Sequence, residues 1–334
     1  KDWTPIGTGS RSRSSYVADS KPFRSTFDGH DQTLTGLPIT SADSNSSSVV
    51  PFGILDGGTV KNLKFTGAKI QANSNGGTAV AVGILVNGGT LDHITTDNTS
   101  SVTGYQGVGG IVGRILKEGT VQNCENGASV SSTNRDEQNK GYNLGGIVGA
   151  AYYNNEGMFI TGCTNHGTIA GLYTGVGGIV GLSAADVSGC KNDGAVSGNG
   201  TSIGGIVGEQ QNSGSVVACR NSGTVTNGST ETSGTGGYGT GGIVGWVRYN
   251  GTEIAYPDRE IIEVINNVNS GTINGGNDGG GIIGTLYNAG VVTGNENTAP
   301  AISGKTFAAG IVGNLQENSG NLFYDQLDID VVNN

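Results

Sequence analysis

Gly109–Gly113 reads GGIVG, and the same five letters return at Gly145–Gly149, Gly177–Gly181, Gly204–Gly208 and Gly241–Gly245. GGIIG follows at Gly280–Gly284 and AGIVG at Ala309–Gly313. Two looser relatives precede the series, FGIL at Phe52–Leu55 and VGIL at Val82–Leu85. The spacing runs from 27 residues (Gly178 to Gly205) to 39 (Gly242 to Gly281). A unit that recurs at this period marks a chain built by stacking supersecondary repeats.

Each unit has a second half, read as V-x-x-C-x-N, a Gly, then Val or Ile. The clearest copies are GTVQNCENGASV, FITGCTNHGTI, DVSGCKNDGAV and SVVACRNSGTV, with EVINNVNSGTI and VVTGNENTAPAI further on. Short runs of Val and Ile bounded by Gly, Asn and Ser are strand-and-turn grammar. Three such strands per unit predict a three-sided coil. Coils stacked about 4.8 Å apart would pair their strands in parallel around one apolar column. The expected fold is all-β, a β-solenoid: a parallel β-helix of about nine three-sided coils with capped ends. Right-handedness is expected from the general preference of parallel crossovers. A propeller, the rival, needs about 40–50 residues per blade.

Residues 1–50 lack GGIVG and are expected to cap the first coil; 51–320 form the solenoid, and 321–334, with Phe323, Tyr324, Leu327 and Ile329, cap the other end as part of one structural domain.

Composition agrees. Gly supplies 63 of 334 residues, a density that argues against long helices. No G-X-Y period exists, which excludes collagen, and a 34% apolar share in ordered clusters argues against disorder. Apolar runs are too short for a membrane span or a signal peptide. With a net charge of −10 and scattered basic residues, no stripe for nucleic acid is present.

One detail conflicts with a straight strand. Val121 and Cys124 are three apart, yet both columns look buried. The column between them reads Asn62, His93, Asn123, Gly162, Gly189, Ala218, which predicts a bend that turns both positions inward. The residue type alone leaves open whether Ile or Val of GIVG faces the core.

GGIVG followed by V-x-x-C-x-N-x-G-x-V resembles the GLUG motif repeat of bacterial surface proteins and of non-catalytic regions of immunoglobulin A peptidases. WTPIG and FRSTFDGHDQTLTGL are similar to the segment that often precedes such repeats, with Ser25 and His30-Asp31 departing from its usual pattern. The resemblance implies a secreted or surface-anchored bacterial β-helix, adhesin-like, and carries no catalytic residues over.

Chemical motifs are sparse. The three His, at 30, 93 and 166, are isolated, so no HExxH peptidase site exists. No GxSxG turn leading into a helix supports a Ser-His-Asp triad; GTSIG at Gly200–Gly204 runs into a GGIVG strand. Gly237, Gly239 and Gly242 match G-x-G-x-x-G but lead into a GGIVG strand, and Gly304-Lys305-Thr306 lacks the earlier glycine of a P-loop. GGNDGGG at Gly275–Gly281 reads as a turn rather than a calcium nonapeptide. Neither cofactor nor metal is expected.

Cys124, Cys163, Cys190 and Cys219 share one repeat position. In-register neighbours sit too far apart for a comfortable disulfide, so a stack of buried free thiols is expected. Asn126, Asn165, Asn192, Asn221, Asn269 and Asn297 share another, the pattern of a hydrogen-bonded asparagine ladder.

Binding residues are sought among the aromatics. Tyr105, Tyr142, Tyr173 and Tyr238 each lie four or five residues before the Gly of a GIV core, and Tyr152, Tyr153, Trp246, Tyr249 and Tyr287 follow GIVG. They are expected to mark neighbouring edges that stack on sugar rings. Insertions at Ser131–Asn143, Thr226–Thr240 and Trp246–Glu263 would emerge on a binding face, the last with an acidic cluster of Glu253, Asp258, Glu260 and Glu263 beside Arg259. The expected function is non-catalytic contact of a monomer with a glycan or surface protein. The alternatives are a polysaccharide lyase or glycoside hydrolase on the same scaffold, which needs converging carboxylates, and a structural spacer domain.

Overall fold

The computed structural model describes residues 5–8, 11–12, 15–16, 21–41, 50–73, 76–134, 141–152, 157–229, 239–248, 262–287, 290–316 and 329–332. No helix occurs among them. Apart from the short Arg11–Ser12 and Ser15–Tyr16 pair, every strand-to-strand ladder is parallel. The chain is a parallel β-solenoid.

The coil that contains Gly109–Gly113 illustrates the path. Gln106–Gly109 lies in a seven-stranded sheet that continues through Tyr142–Gly145, Val176–Gly177, Ser202–Gly204, Gly239–Gly241, Asp278–Gly280 and Phe307–Ala309. The chain turns at Gly109-Gly110 and runs out as Val112–Gln122, stacked on Val82–Thr96 below and on Val148–Ala151 and Met158–Thr161 above. Glu125–Asn126 follows, and Ser129–Ser132 enters a nine-stranded sheet running from Pro38–Ser41 to Ile302–Ser303. Thr26–Thr35 and Pro38–Ser41, within the expected N-terminal cap, already stack in parallel on Thr59–Thr66 and Lys69–Ala72. Of the tail, Ile329–Val332 pairs with Gly290–Thr293.

Both apolar residues of GIVG face the core: Ile111 and Val112, and their counterparts in the following repeats, join one continuous cluster. Two neighbouring residues of an extended strand would point oppositely; the turn at the double glycine removes that constraint. A Cβ on Gly110 would collide with the Gly146 carbonyl and with the Asn126 side-chain amide, and Gly146, Gly178, Gly205 and Gly242 repeat this arrangement. The second glycine is therefore the slot that admits the asparagine.

The predicted bend is present. Asn62, His93, Asn123, Gly162, Gly189, Ala218, Asn266 and Gly294 have φ between 53° and 65°. One left-handed residue turns the chain so that Val121 and Cys124 both point inward.

The four cysteines are free and buried. Each thiol donates to a main-chain carbonyl two residues back, Cys163 to Thr161 at 3.4 Å and Cys190 to Ser188 at 3.4 Å. Hydrogen bonds to neighbouring thiols, reinforced by burial, push Cys163 and Cys219 above the ordinary thiol range. The column then changes chemistry. Asn267 occupies the next level and accepts a bond from the Cys219 amide at 2.8 Å, while its Nδ2 donates to Asn295 Oδ1 at 3.0 Å.

The main asparagine column is continuous. Nδ2 of Asn126, Asn165, Asn192, Asn221 and Asn269 each donates to Oδ1 of the asparagine one coil on, at 2.8, 2.7, 2.8, 2.9 and 2.9 Å. The second proton of each goes to the carbonyl two residues ahead, as from Asn192 to Gly194 at 2.9 Å. Thr96 donates its hydroxyl to Asn126 Oδ1 at 2.7 Å and opens the series. Every amide in this dry column is satisfied locally, as burial demands.

Candidate functional site

The aromatic edge does not form as one row. Tyr142 pairs with Gln106 and Leu144 with Val176, so Tyr105 and Tyr173 share a phase that Tyr142 misses by one residue. Tyr105, expected to be exposed, is only 6% exposed and meets the Tyr142 ring edge-on, with centroids 6.0 Å apart. Tyr142 is half-buried, and Tyr173 is open at 42%. Tyr238, Tyr153, Tyr249 and the acidic segment from Glu253 to Asp258, Arg259 and Glu260 lie outside the described residues.

The second aromatic set lies in a furrow that the sequence did not announce. Ile54, Ile84, Arg114, Ala150, Leu182, Glu209, Trp246, Thr285 and Asn314 occupy one register position on successive coils. This column points away from the main core, and at its N-terminal end Ile54, Ile84, Val86 and Leu116 form a separate apolar cluster with Tyr152 packed on it. Arg114 is fully buried here. Its guanidinium lies 5.1 Å from the centre of the Tyr152 ring, and none of its three nitrogens has a hydrogen-bond partner. Burial pushes its pKa down, with the Tyr152 and Tyr142 hydroxyls opposing. Tyr152 is half-buried, and its hydroxyl accepts from Asn143 Nδ2 at 3.0 Å. Further along, Trp246 is 9% exposed under the Arg248 guanidinium, 4.4 Å from the ring centre, and Arg248 pairs with buried Glu209 at 2.8 Å. Burial lifts the Glu209 carboxyl above its ordinary range, and the charge of Arg248 only partly offsets this. Tyr152 and Trp246 thus cover this seam.

The open polar face lies elsewhere, outside the asparagine column. The residues flanking each ladder asparagine point to solvent, because the side chains of a strand alternate. The preceding position reads Glu125, Thr164, Lys191, Arg220, Val268, Glu296 on successive coils, and the following one includes His166, Asp193, Ser222 and Ser270. From Glu125 to Ser270 these residues line a groove of about 500 Å³ that crosses several coils, with Glu296 beyond it. His166 spans two coil junctions: Nε2 lies 3.1 Å from Glu125 Oε1, and Nδ1 lies 2.7 and 2.8 Å from the two Asp193 oxygens. Lys191 and Arg220, one coil apart, make no ion pair among the described residues. No cluster of described His, Cys, Asp or Glu has the geometry to hold a metal ion. Asp278, in GGNDGGG, accepts from Asn314 at 2.7 Å. This face escaped the search of the sequence because its members are 27 to 48 residues apart; the signal available was their shared phase on either side of the ladder asparagine.

Fold and groove together define a class: a parallel β-solenoid with a laddered interior and a polar outer groove. No family model matches the chain. Over 103 residues it is 31% identical to halomucin of Haloquadratum walsbyi (strain DSM 16790 / HBSQ001), a match that takes in 30% of this chain and 1% of halomucin. The chain thus spans a very small part of that relative. A crystal structure of a candidate immunoglobulin A1 protease from Bacteroides ovatus aligns at 18% identity and a TM-score of 0.46, covering 87% of this chain and 68% of the other.

Proposed function

We propose that this chain is a secreted or cell-surface protein of the GLUG-repeat type, adhesin-like and without catalysis, that contacts a glycan along the groove beside the asparagine ladder. The groove carries the reading: it is open, lined mostly by polar residues, and built from the two positions that flank the ladder asparagine on successive coils, which suits a ligand that itself repeats. Tyr173, exposed on another edge, adds a ring face for stacking. The enzymatic alternative needs two carboxylates free to act as acid and base or nucleophile. Glu125 and Asp193 converge, but His166 lies between them and engages both, which supports the non-catalytic reading. The test is a glycan array probed with the folded full chain, followed by reducing-end assays on every glycan bound. Binding to polymeric sugars without release of new reducing ends is expected. Cleavage of a bound glycan, or no binding to any glycan, overturns the reading.

A further inference from the structure

Within the groove the charges are unevenly committed. Asp193 and Glu125 are taken up by His166, whereas Lys191 and Arg220 are exposed and make no ion pair among the described residues. Their register pairing sets their backbones one coil rise, about 4.8 Å, apart. Both long side chains rise from the same face of adjacent coils, so one anion can bond to both. The Arg220 guanidinium offers a planar fork and the Lys191 ammonium a movable point charge, a pair that suits a carboxylate. Thr164, Ser222 and Ser270, which also line the groove, offer hydroxyls on the coils beside and around the pair.

We propose that Lys191 and Arg220 form a carboxylate subsite for an acidic sugar, a uronic acid residue within a polysaccharide. The proposal rests on the glycan reading of this groove and narrows it. A sugar is favoured over an acidic polypeptide because the groove is open to solvent and Thr164, Ser222 and Ser270 add hydroxyls that can pair with those of a sugar. The flanking acids also limit the ligand. Glu125 stands two coils before Lys191 and Glu296 two coils after Arg220 in the same column, and the chain carries a net charge of −10. A densely charged polymer would be repelled beyond the basic pair, so the fitting ligand has isolated carboxylates among neutral sugars.

The full chain is tested by calorimetric titration with mixed oligosaccharides that contain one galacturonate, in the free-acid and methyl-ester forms. Binding of the acid at least about tenfold tighter than the ester is expected, as is loss of that difference in the Lys191→Gln/Arg220→Gln variant. Added salt should weaken the acid more than the ester. Both residues lie on the surface, so far-UV circular dichroism should confirm an intact fold. Equal binding of acid and ester, or a variant that retains the preference, overturns the subsite while leaving glycan contact standing. Binding of poly-glutamate through the same two residues, with no sugar bound, assigns the groove to an acidic polypeptide and overturns both readings.

Discussion

Replacing Arg114 by Met should make the protein more stable. The guanidinium has no exposed surface, and its nitrogens have no hydrogen-bond partner. In-register neighbours are Ile84 on one side and Ala150 on the other. Burying an ion costs several kcal/mol even after the surroundings relax. The Tyr152 ring, at 5.1 Å, returns about 2 kcal/mol as a desolvated cation–π contact. Met keeps an unbranched stem of similar reach, removes the charge and extends the apolar cluster of Ile84 and Leu116. A gain of about 1–4 kcal/mol is expected, the range seen when buried ions give way to apolar residues. Urea unfolding at 25 °C, followed by circular dichroism, measures it as a higher midpoint with an unchanged slope. Destabilisation by more than about 1 kcal/mol would refute the reasoning, since it would mean that the guanidinium gains more from its surroundings than burial costs it.

Other substitutions test other columns. Asn192→Ala removes the bonds to Asn221 Oδ1 and Gly194 O and orphans the Asn165 amide, so a loss of about 3 kcal/mol is expected at roughly 1 kcal/mol per bond; an unchanged denaturation midpoint contradicts the ladder. Ala218 holds φ 55°, where sister coils use Gly, Asn or His, so Ala218→Asn should raise stability by about 0.5–1 kcal/mol, and a lower melting temperature argues against it. Burial holds the Glu209 carboxyl above the ordinary value of 4.5, so between 4.5 and the raised value the native state keeps a proton that the unfolded chain has released. Its contribution is therefore present at acid pH and is lost as pH rises through the raised value. Glu209→Gln should flatten that part of the pH–stability curve, and a curve superimposable on the parent's would count against it.

The core was legible because its signals are periodic and chemically narrow. GGIVG marks the turn and the slot for asparagine, and Asn, Gly or His in one column announced the left-handed bend, which Ala218 alone would not have done. The seam of Arg114, Glu209 and Trp246 was not legible, because one register position there holds Ile, Arg, Ala, Leu, Glu, Trp, Thr and Asn in turn. The tyrosine edge failed on a single residue: Tyr142 lies one register position away from Tyr105 and Tyr173, which sit in bends just ahead of their strands. The groove residues are brought together only by stacking, since Glu125, His166 and Asp193 share no local motif.

The asparagine ladder runs one way. Every Nδ2 donates towards the C-terminal end and every Oδ1 accepts from the N-terminal side, from Thr96 through to Asn297. Each interior junction therefore presents the same half-bond above and below, so a whole coil can be excised or duplicated and the cut ends still match. Asn165 could donate to Asn221 as it does to Asn192. Gain or loss of entire coils is the change in length this interior tolerates, whereas a fraction of a coil would break the amide column and the sheets together. The first rung differs in kind: Thr96 supplies a hydroxyl and needs no amide beneath it, which fixes where the ladder begins and leaves its other end free to grow.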